Sequence, residues 1–442
     1  MGEGKEREEY FPDGKTVIGD WFRDDRVPQL SDLGKQYVLN RYGVLCDGRV
    51  YTKQIQALID RVHEEGGGVV VVPEGTYMTG ALYFKQGVNL YLSKGAVLKG
   101  SDDISDYNVC TTRIEGETCL YFDAMINACG LDGFTIAGPG VIDGNGLRIW
   151  KAFWLRRKWN PACTNKDEQR PRLIYLSGCK NVTVAQVTLM NSQFWTNHMY
   201  KCDHVRYLEC SIIGAREPIA APSTDAMDID ACEDVLIKRC RMNVNDDAIG
   251  LKGGKGPWAD EDENNGGNER ILVEDCSFDF CHGALVFGSE SIHDKNILFR
   301  NSHVGSAFNV LWFKLRPDTP QHYEYVKISH IDGETANFLN INPWSQFFDL
   351  KGRTDMPVSN VHDIMIEDCS FSCDTFLNIR PDEKRFHLKG FSLKRLDIRA
   401  FNSSYDEEAI EELSLKDVKI TKKEKISFPD SIATMDGEEY LK

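Results

Sequence analysis

Residues 223–252 read STDAMDIDACEDVLIKRCRMNVNDDAIGLK, and the fold is decided by how this stretch is read. Five aspartates, Asp225, Asp228, Asp230, Asp246 and Asp247, are set among alternating apolar β-formers: Met227, Ile229, Val235, Ile237, Met242, Val244, Ile249 and Leu251. Aspartate is disfavoured in strands, because its side chain competes for backbone hydrogen bonds and its charge is costly to bury. A solvated strand face or a turn cap would account for any one of them. As a group they ask for more. Asp225 and Asp246 stand 21 residues apart, about one turn of a parallel β-helix, which would stack them on neighbouring coils roughly 4.8 Å apart. Stacking of that kind makes a carboxylate cluster.

The same pattern runs outward from this stretch. A polar residue followed by V/I-x-V/I/L recurs at Asn181-Val182, His204-Val205, Asp234-Val235, Arg270-Ile271, Asn296-Ile297, Tyr325-Val326 and Asp363-Ile364, with steps of 23 to 38 residues. Unequal steps over a common floor are what a solenoid gives when loops of different length leave the same corner of successive coils. A β-sandwich would need hairpin turns such as Asn-Gly between adjacent strands, and these are scarce. The fourteen cysteines form no CxxC pair, so a zinc site is not expected from them. Cys179, Cys202 and Cys232 each precede a strand, while Cys210, Cys240, Cys276 and Cys369 each close one. Equivalent positions stack, so these thiols are expected to line the interior as small hydrophobes rather than form a disulfide framework.

The expected class is therefore all-β, a right-handed parallel β-helix with a short N-terminal capping helix. Residues 1–41 are assigned to an N-terminal extension of unread role, and 42–442 to a single β-helix domain. After a turn at Tyr42–Gly48, Thr52 is the expected N-cap of a helix near Lys53–Glu65. Ile55, Leu58, Ile59 and Val62 give it one apolar face, and Gly66-Gly67-Gly68 ends it. A solenoid needs its open end covered, and this helix is placed to do so.

The net charge of −16 argues against nucleic acid and against an anionic membrane surface as partners. It leaves acidic sugar polymers open, since charges more than about 8 Å apart are largely screened at physiological salt. No apolar run is long enough to span a membrane, and the first residues, MGEGKEREEY, have no apolar segment of the kind found in signal peptides. A chain already relieved of such a signal would read the same. Three long insertions leave the coils: Leu147–Arg172 with Trp150, Trp154 and Trp159, Gly253–Asn268, and Asn342–Arg353 with Trp344, Phe347 and Phe348. Aromatic faces beside Arg and Lys suit acidic sugars, although self-packing of the loops is the plainer alternative.

Gly43–Gly68 resembles the N-terminal cap of pectin-degrading β-helix enzymes, and Gly140-Val-Ile-Asp-Gly-Asn-Gly146 is similar to a turn of the polygalacturonase family of glycoside hydrolases. The resemblance covers Tyr42 to Arg380 and extends to four motifs in order. Ser223-Thr224-Asp225 matches Asn-Thr-Asp, Asn245-Asp246-Asp247 matches Asp-Asp, and Cys281-His282-Gly283 matches Gly-His-Gly. The fourth departs: Trp312-Phe313-Lys314 stands where Arg-Ile-Lys is usual, and only the lysine survives.

What the resemblance implies is an inverting hydrolase of α-galacturonosidic bonds. Asp246 would be the general acid, Asp225 and Asp247 would activate water, His282 would sit one coil later, and Lys314 would hold a sugar carboxylate. Glycoside hydrolysis does need an acid for the leaving oxygen and a base for water, in environments that split their pKa values. Consecutive strand residues point to opposite faces, so Asp246 and Asp247 share a cleft only if the strand bends between them. Trp312, Arg316, Lys252, Trp344 and Arg353 complete the expected substrate contacts. Trp312 in place of arginine points to a neutral sugar such as rhamnose at one subsite, unless Arg316 or Arg353 supplies the guanidinium. Insertions rising on one side would leave a pocket and favour action at chain ends. No cofactor or metal is expected; the expected partner is a pectic oligo- or polysaccharide as substrate, and the protein is expected to be a monomer. The expected location is periplasmic or secreted, with a cytoplasmic one left open. A calcium-dependent lyase and a non-catalytic sugar-binding β-helix remain as rival readings.

Overall fold

The computed structural model describes residues 8–425 except 381 and 383; residues 1–7 of the expected extension and 426–442 of the expected domain lie outside the described residues. All but two of its described strands pair in parallel with a counterpart one coil away, and the chain winds as a right-handed parallel β-helix. The apolar members of the recurring unit, Val182, Val205, Val235, Ile271, Ile297, Val326 and Ile364, form one column in which each pairs with the next. They are buried in a continuous interior.

The polar residue before each of them has a structural job. Asn181, His204, Asp234, Arg270, Asn296, Tyr325 and Asp363 all adopt left-handed backbone, with φ between 51° and 58°. That conformation costs an L-residue roughly 1–2 kcal/mol, least for Asn and Asp, and it turns the chain sharply from one strand to the next. The cysteine columns are present as expected. Cys202 N–H donates to Cys232 Sγ at 3.3 Å across adjacent coils, and all fourteen thiols are free.

Helix Thr52–Glu64 covers the first coils with Ile55, Leu58, Ile59 and Val62 buried. Thr52 is its first residue and not its cap. The cap position falls on Tyr51, and Thr52 Oγ1 instead accepts the Gly80 backbone N–H at 2.6 Å, tying the helix to the coil beneath. The expected division at residues 41 and 42 falls inside packed structure. Strand Gln36–Val38 pairs in parallel with Val69–Val71, so the solenoid begins before it. Upstream, Phe11, Ile18, Phe22 and Leu33 are buried against Leu208, Leu236, Leu272 and Leu298 on the outer face of the coils. Apolar residues on an outward face need a cover, and the extension supplies it.

The first insertion corrects another expectation. Leu147–Trp159 is a helix and not an aromatic loop, with Trp150 and Trp154 buried against Ile219 and Ala221. Their indole N–H groups donate to the Ser192 and Ala220 carbonyls at 3.0 and 2.8 Å. Of the three tryptophans only Trp159 reaches solvent. This helix has no side-chain cap, so packing rather than local signals holds it.

Candidate active site

Four successive coils deliver the motif residues to one face. Asp225 lies in the turn before strand Met227–Asp230, and that strand pairs in register with Ile249–Lys252, Met227 against Ile249. The register sets Asp225 beside Asp247, one residue away from the 21-residue stacking on Asp246 expected from the sequence. The bond from Ala226 N–H to the Asp247 carbonyl, 3.0 Å, closes this step. Asp246 and Asp247 sit where the chain bends between Arg241–Asn243 and Ile249–Lys252, so both carboxylates turn to the same side. One oxygen from each of Asp225, Asp246 and Asp247 lies within 4.8 Å of the others. On the next coil His282 N–H donates to the Asp246 carbonyl at 2.9 Å, and its Nδ1 is 3.2 Å from Asp246 Oδ1. Glycine is required at 283, where a Cβ would come within 2.2 Å of Val286 Cγ2.

Two buried lysines flank the acids. Lys314 Nζ is 2.6 Å from Asp247 Oδ2. Lys252 Nζ lies 3.2 Å from Glu290, 3.5 Å from Asp228 and 4.0 Å from Asp225, under the ring of Trp195. Burial, reinforced by Asp228 and Asp246, pushes the Asp225 carboxyl well above its ordinary range. Burial also raises Asp228, to about 8, against the pull of Lys252. Asp246 goes the other way: burial would raise it, but the charge and hydrogen bond of His282, with Lys314 and Lys252, bring it below the usual value. The His282 imidazole, which burial alone would depress, is raised by Asp246. These shifts favour a proton on Asp225 and Asp228 and charge on the His282–Asp246 pair.

Asp225, Asp246, Asp247, His282, Lys252, Lys314 and Glu290 line a cavity of about 180 Å³. Three lining atoms have no hydrogen-bond partner although buried: Asp247 Oδ1, His282 Nε2 and Trp344 Nε1. Unpaired buried polar atoms are costly, and an acceptor, an imidazole nitrogen and a donor without partners on three residues that line one cavity suit it to a polar ligand. Trp312 is different. Its N–H is committed to Asn342 Oδ1 at 2.6 Å, and its face lies 4.2 Å from Lys314 Nζ, edge to face with Trp344.

Beside the cavity stands an element that sequence reasoning passed over, whose Glu115 is among the lining residues. Strands Val109–Ile114 and Glu117–Phe122 form the one antiparallel strand pair among the described residues. Glu117 is paired with Lys166, and lies 4.0 Å from Lys255 and 3.4 Å from Lys351, one lysine from each long insertion. At its tip Gly116, φ 72°, sits so close to Glu290 and Gly254 that a Cβ would meet both at 3.0 Å.

Of the expected contacts, Lys252, Trp312, Lys314 and Trp344 line the cavity and two do not. Arg316 is 1% exposed, its guanidinium bonded twice to Asp318 at 2.8 Å and to the Gln346 carbonyl at 2.9 Å. It holds the third insertion in place. Arg353 is occupied by Asp355 and the Pro257 carbonyl and stacks over Trp258. Conversely Glu290, Arg157 and Asn165 line the cavity without having been singled out. Glu290, an acid just after the strand ending at Phe287, carried the same signal as the aspartates.

A parallel β-helix bearing stacked carboxylates in a polar cavity is the architecture of a polysaccharide-processing enzyme. Residues 83–332, more than half of the chain, match the family model for glycosyl hydrolases family 28, and the chain belongs to that family. Over 311 residues it is 25% identical to an exo-poly-alpha-D-galacturonosidase of Dickeya chrysanthemi, covering 60% of this chain and 50% of that protein. With an endo-polygalacturonase of Pectobacterium parmentieri it shares 26% over 279 residues, 61% of this chain and 65% of the other. These matches span about half to two thirds of the relatives' length. A crystallised hyperthermoactive exopolygalacturonase from Thermotoga maritima superposes with a TM-score of 0.73 at 20% identity, over 91% of this chain and 94% of that one, which shows the shared fold.

Proposed function

We propose that this protein hydrolyses α-galacturonosidic bonds of pectin from a chain end. The observation that carries the reading is the cluster of Asp225, Asp246 and Asp247, with His282 on Asp246 and lysines on either side, all lining one cavity. Asp246 is the general acid. It receives its proton from His282 Nδ1, 3.2 Å away, and passes it to the leaving glycosidic oxygen. Water attacks from the Asp225–Asp247 side, giving its proton to the unpartnered Asp247 Oδ1. Lys252 and Lys314 face the sugar carboxylate. The acids are closer together than the roughly 6.5–9.5 Å usual in inverting enzymes, so inversion rests on family membership. A β-anomer as first product, read by proton NMR, supports it, and an α-anomer refutes it.

The finer leaning is towards galacturonosyl–rhamnose bonds of rhamnogalacturonan. It is supported by Trp312 standing among the cavity-lining residues where the family pattern has arginine, and by the commitment of Arg316 and Arg353 elsewhere. The second reading, removal of single units from homogalacturonan, is favoured by Arg157, a guanidinium that lines the cavity from another direction. Matched oligosaccharides of the two polymers decide between them by kcat/KM. Release of an unsaturated product that stops in chelator would overturn the hydrolytic reading altogether.

A further inference from the structure

A second constellation lies on the outer face of the solenoid, away from the catalytic cavity. Strand His293–Leu315 pairs with Gln321–Pro343, and that strand pairs with Ser359–Glu367, setting His293 beside His322 and Glu324 beside His362. Residues two apart on a strand share a face, so the two columns present three imidazoles and a carboxylate together. His322 Nε2 and His362 Nε2 are 3.2 Å apart. Glu324 Oε2 is 3.8 Å from each of them, and Glu324 Oε1 is 3.5 Å from His293 Nε2. Ligands of a tetrahedral zinc at about 2.0–2.1 Å stand about 3.3 Å from one another; the His322–His362 and His293–Glu324 separations come close to that, His293, His322 and Glu324 each offer an atom within 4.8 Å of the others, and His362 adjoins them through His322 and Glu324.

The surroundings fit as well. His362 Nδ1 is 2.7 Å from Asp363 Oδ2, and since a carboxylate accepts, Nδ1 carries the proton and Nε2 turns its lone pair to the cluster. A carboxylate behind a histidine in this way is the usual support of a metal-ligating imidazole. The partly exposed rings leave an entry path from solvent. Lys295 Nζ, 3.6 Å from Glu324 Oε1, holds a positive charge at the same oxygen, and its flexible stem allows it to swing aside. We propose that His293, His322, His362 and Glu324 form a transition-metal site, of the class that Zn²⁺ represents, which staples three successive coils of the solenoid.

The test uses the full chain without a polyhistidine tag, stripped by chelator and titrated with Zn²⁺ alone by calorimetry and with Co²⁺ by absorption. Expected are one equivalent of Zn²⁺ bound at micromolar protein, the visible bands of four-coordinate Co²⁺, and a rise in unfolding temperature with Zn²⁺. His322→Ala and Glu324→Gln should each weaken Zn²⁺ by at least about 10²-fold, and Asp363→Asn by about 10- to 100-fold. Lys295→Gln should tighten it, and Asp246→Asn in the acid cluster should leave it unchanged. Absence of Zn²⁺ binding, or binding that survives both His322→Ala and Glu324→Gln, overturns the proposal. So does binding lost in Asp246→Asn, which would place the metal among the catalytic acids.

Discussion

Replacing Asp228 with asparagine should stabilise this protein, and the gain should grow with pH. Asp228 is completely buried beneath the acid cluster, and neither of its carboxylate oxygens has a hydrogen-bond partner, the nearest cation being Lys252 Nζ at 3.5 Å. Burial is the largest cause of a carboxyl pushed from 3.8 to about 8. An unfolded chain gives up this proton near its ordinary value while the folded one retains it, so stability falls as pH climbs from the unfolded pKa to the folded one. Each pH unit in that window costs about 1.36 kcal/mol. From the ordinary value to neutrality the interval is about three units, or about 4 kcal/mol. Asparagine has no proton to lose and escapes this cost. Like the protonated acid it is neutral beside Lys252, which keeps Glu290 at 3.2 Å, so a net gain of about 2–4 kcal/mol is expected at neutral pH and little near pH ~4. Thermal or urea unfolding of both proteins across this range measures the gap. A variant less stable than the parent at neutral pH, or a gap that stays flat with pH, refutes the account of Asp228 as a retained proton.

The remaining predictions concern turnover. Asp246→Asn should lower kcat by about 10²-fold or more with fold and binding intact, because an amide cannot protonate the leaving oxygen; near-parental turnover would take the acid role from Asp246. His282 is raised by Asp246, so activity that needs its imidazolium should persist to pH values above the ordinary histidine range and fall as pH passes the raised value. His282→Gln should remove that alkaline limb, and an unchanged pH profile counts against proton delivery from His282. Glu117→Ala unties the lysines of all three insertions and should change early products from single units to mixed oligomers, which chromatography of the first products reads directly. Trp312→Arg should move preference towards pure galacturonate oligomers by roughly 10- to 100-fold in kcat/KM, the worth of one charge-assisted hydrogen bond of about 1.5–3 kcal/mol; a parent that already prefers those oligomers sinks the rhamnose reading.

The β-helix was legible because its determinant is periodic. The seven apolar residues picked out by spacing and type form one hydrogen-bonded column, and three of the five aspartates, Asp225, Asp246 and Asp247, line one cavity, while Asp228 lies at Lys252 and Asp230 is paired with Arg113 and His198. What the periodicity could not carry was anything made by a single contact across coils. Arg316 and Arg353 read as free cations near a lysine motif, yet their partners Asp318 and Asp355 lie two residues away in the same segments. A short-range acid beside an arginine was the signal that each was already spoken for. Trp150 and Trp154 read as a sugar platform because nothing in their own segment shows that Ile219 and Ala221 meet them.

The strand pair beside the cavity shows why loops are harder than coils. A coil residue has its neighbour fixed by the repeat, whereas Glu117 is 49 residues from Lys166 and 234 from Lys351. No pattern links such positions, and a lone antiparallel strand pair interrupts the repeat that made the rest readable. Its place is set by steric detail, since only a glycine at 116 lets the tip rest on Gly254 and Glu290. Glu290 in turn holds Lys252 beside Asp225. The wall of the cavity and the charge balance of the acid cluster therefore meet at one carboxylate. A change that lifts the Gly116 tip should disturb the cluster's electrostatics along with chain-end selectivity, so the two properties are coupled by contact.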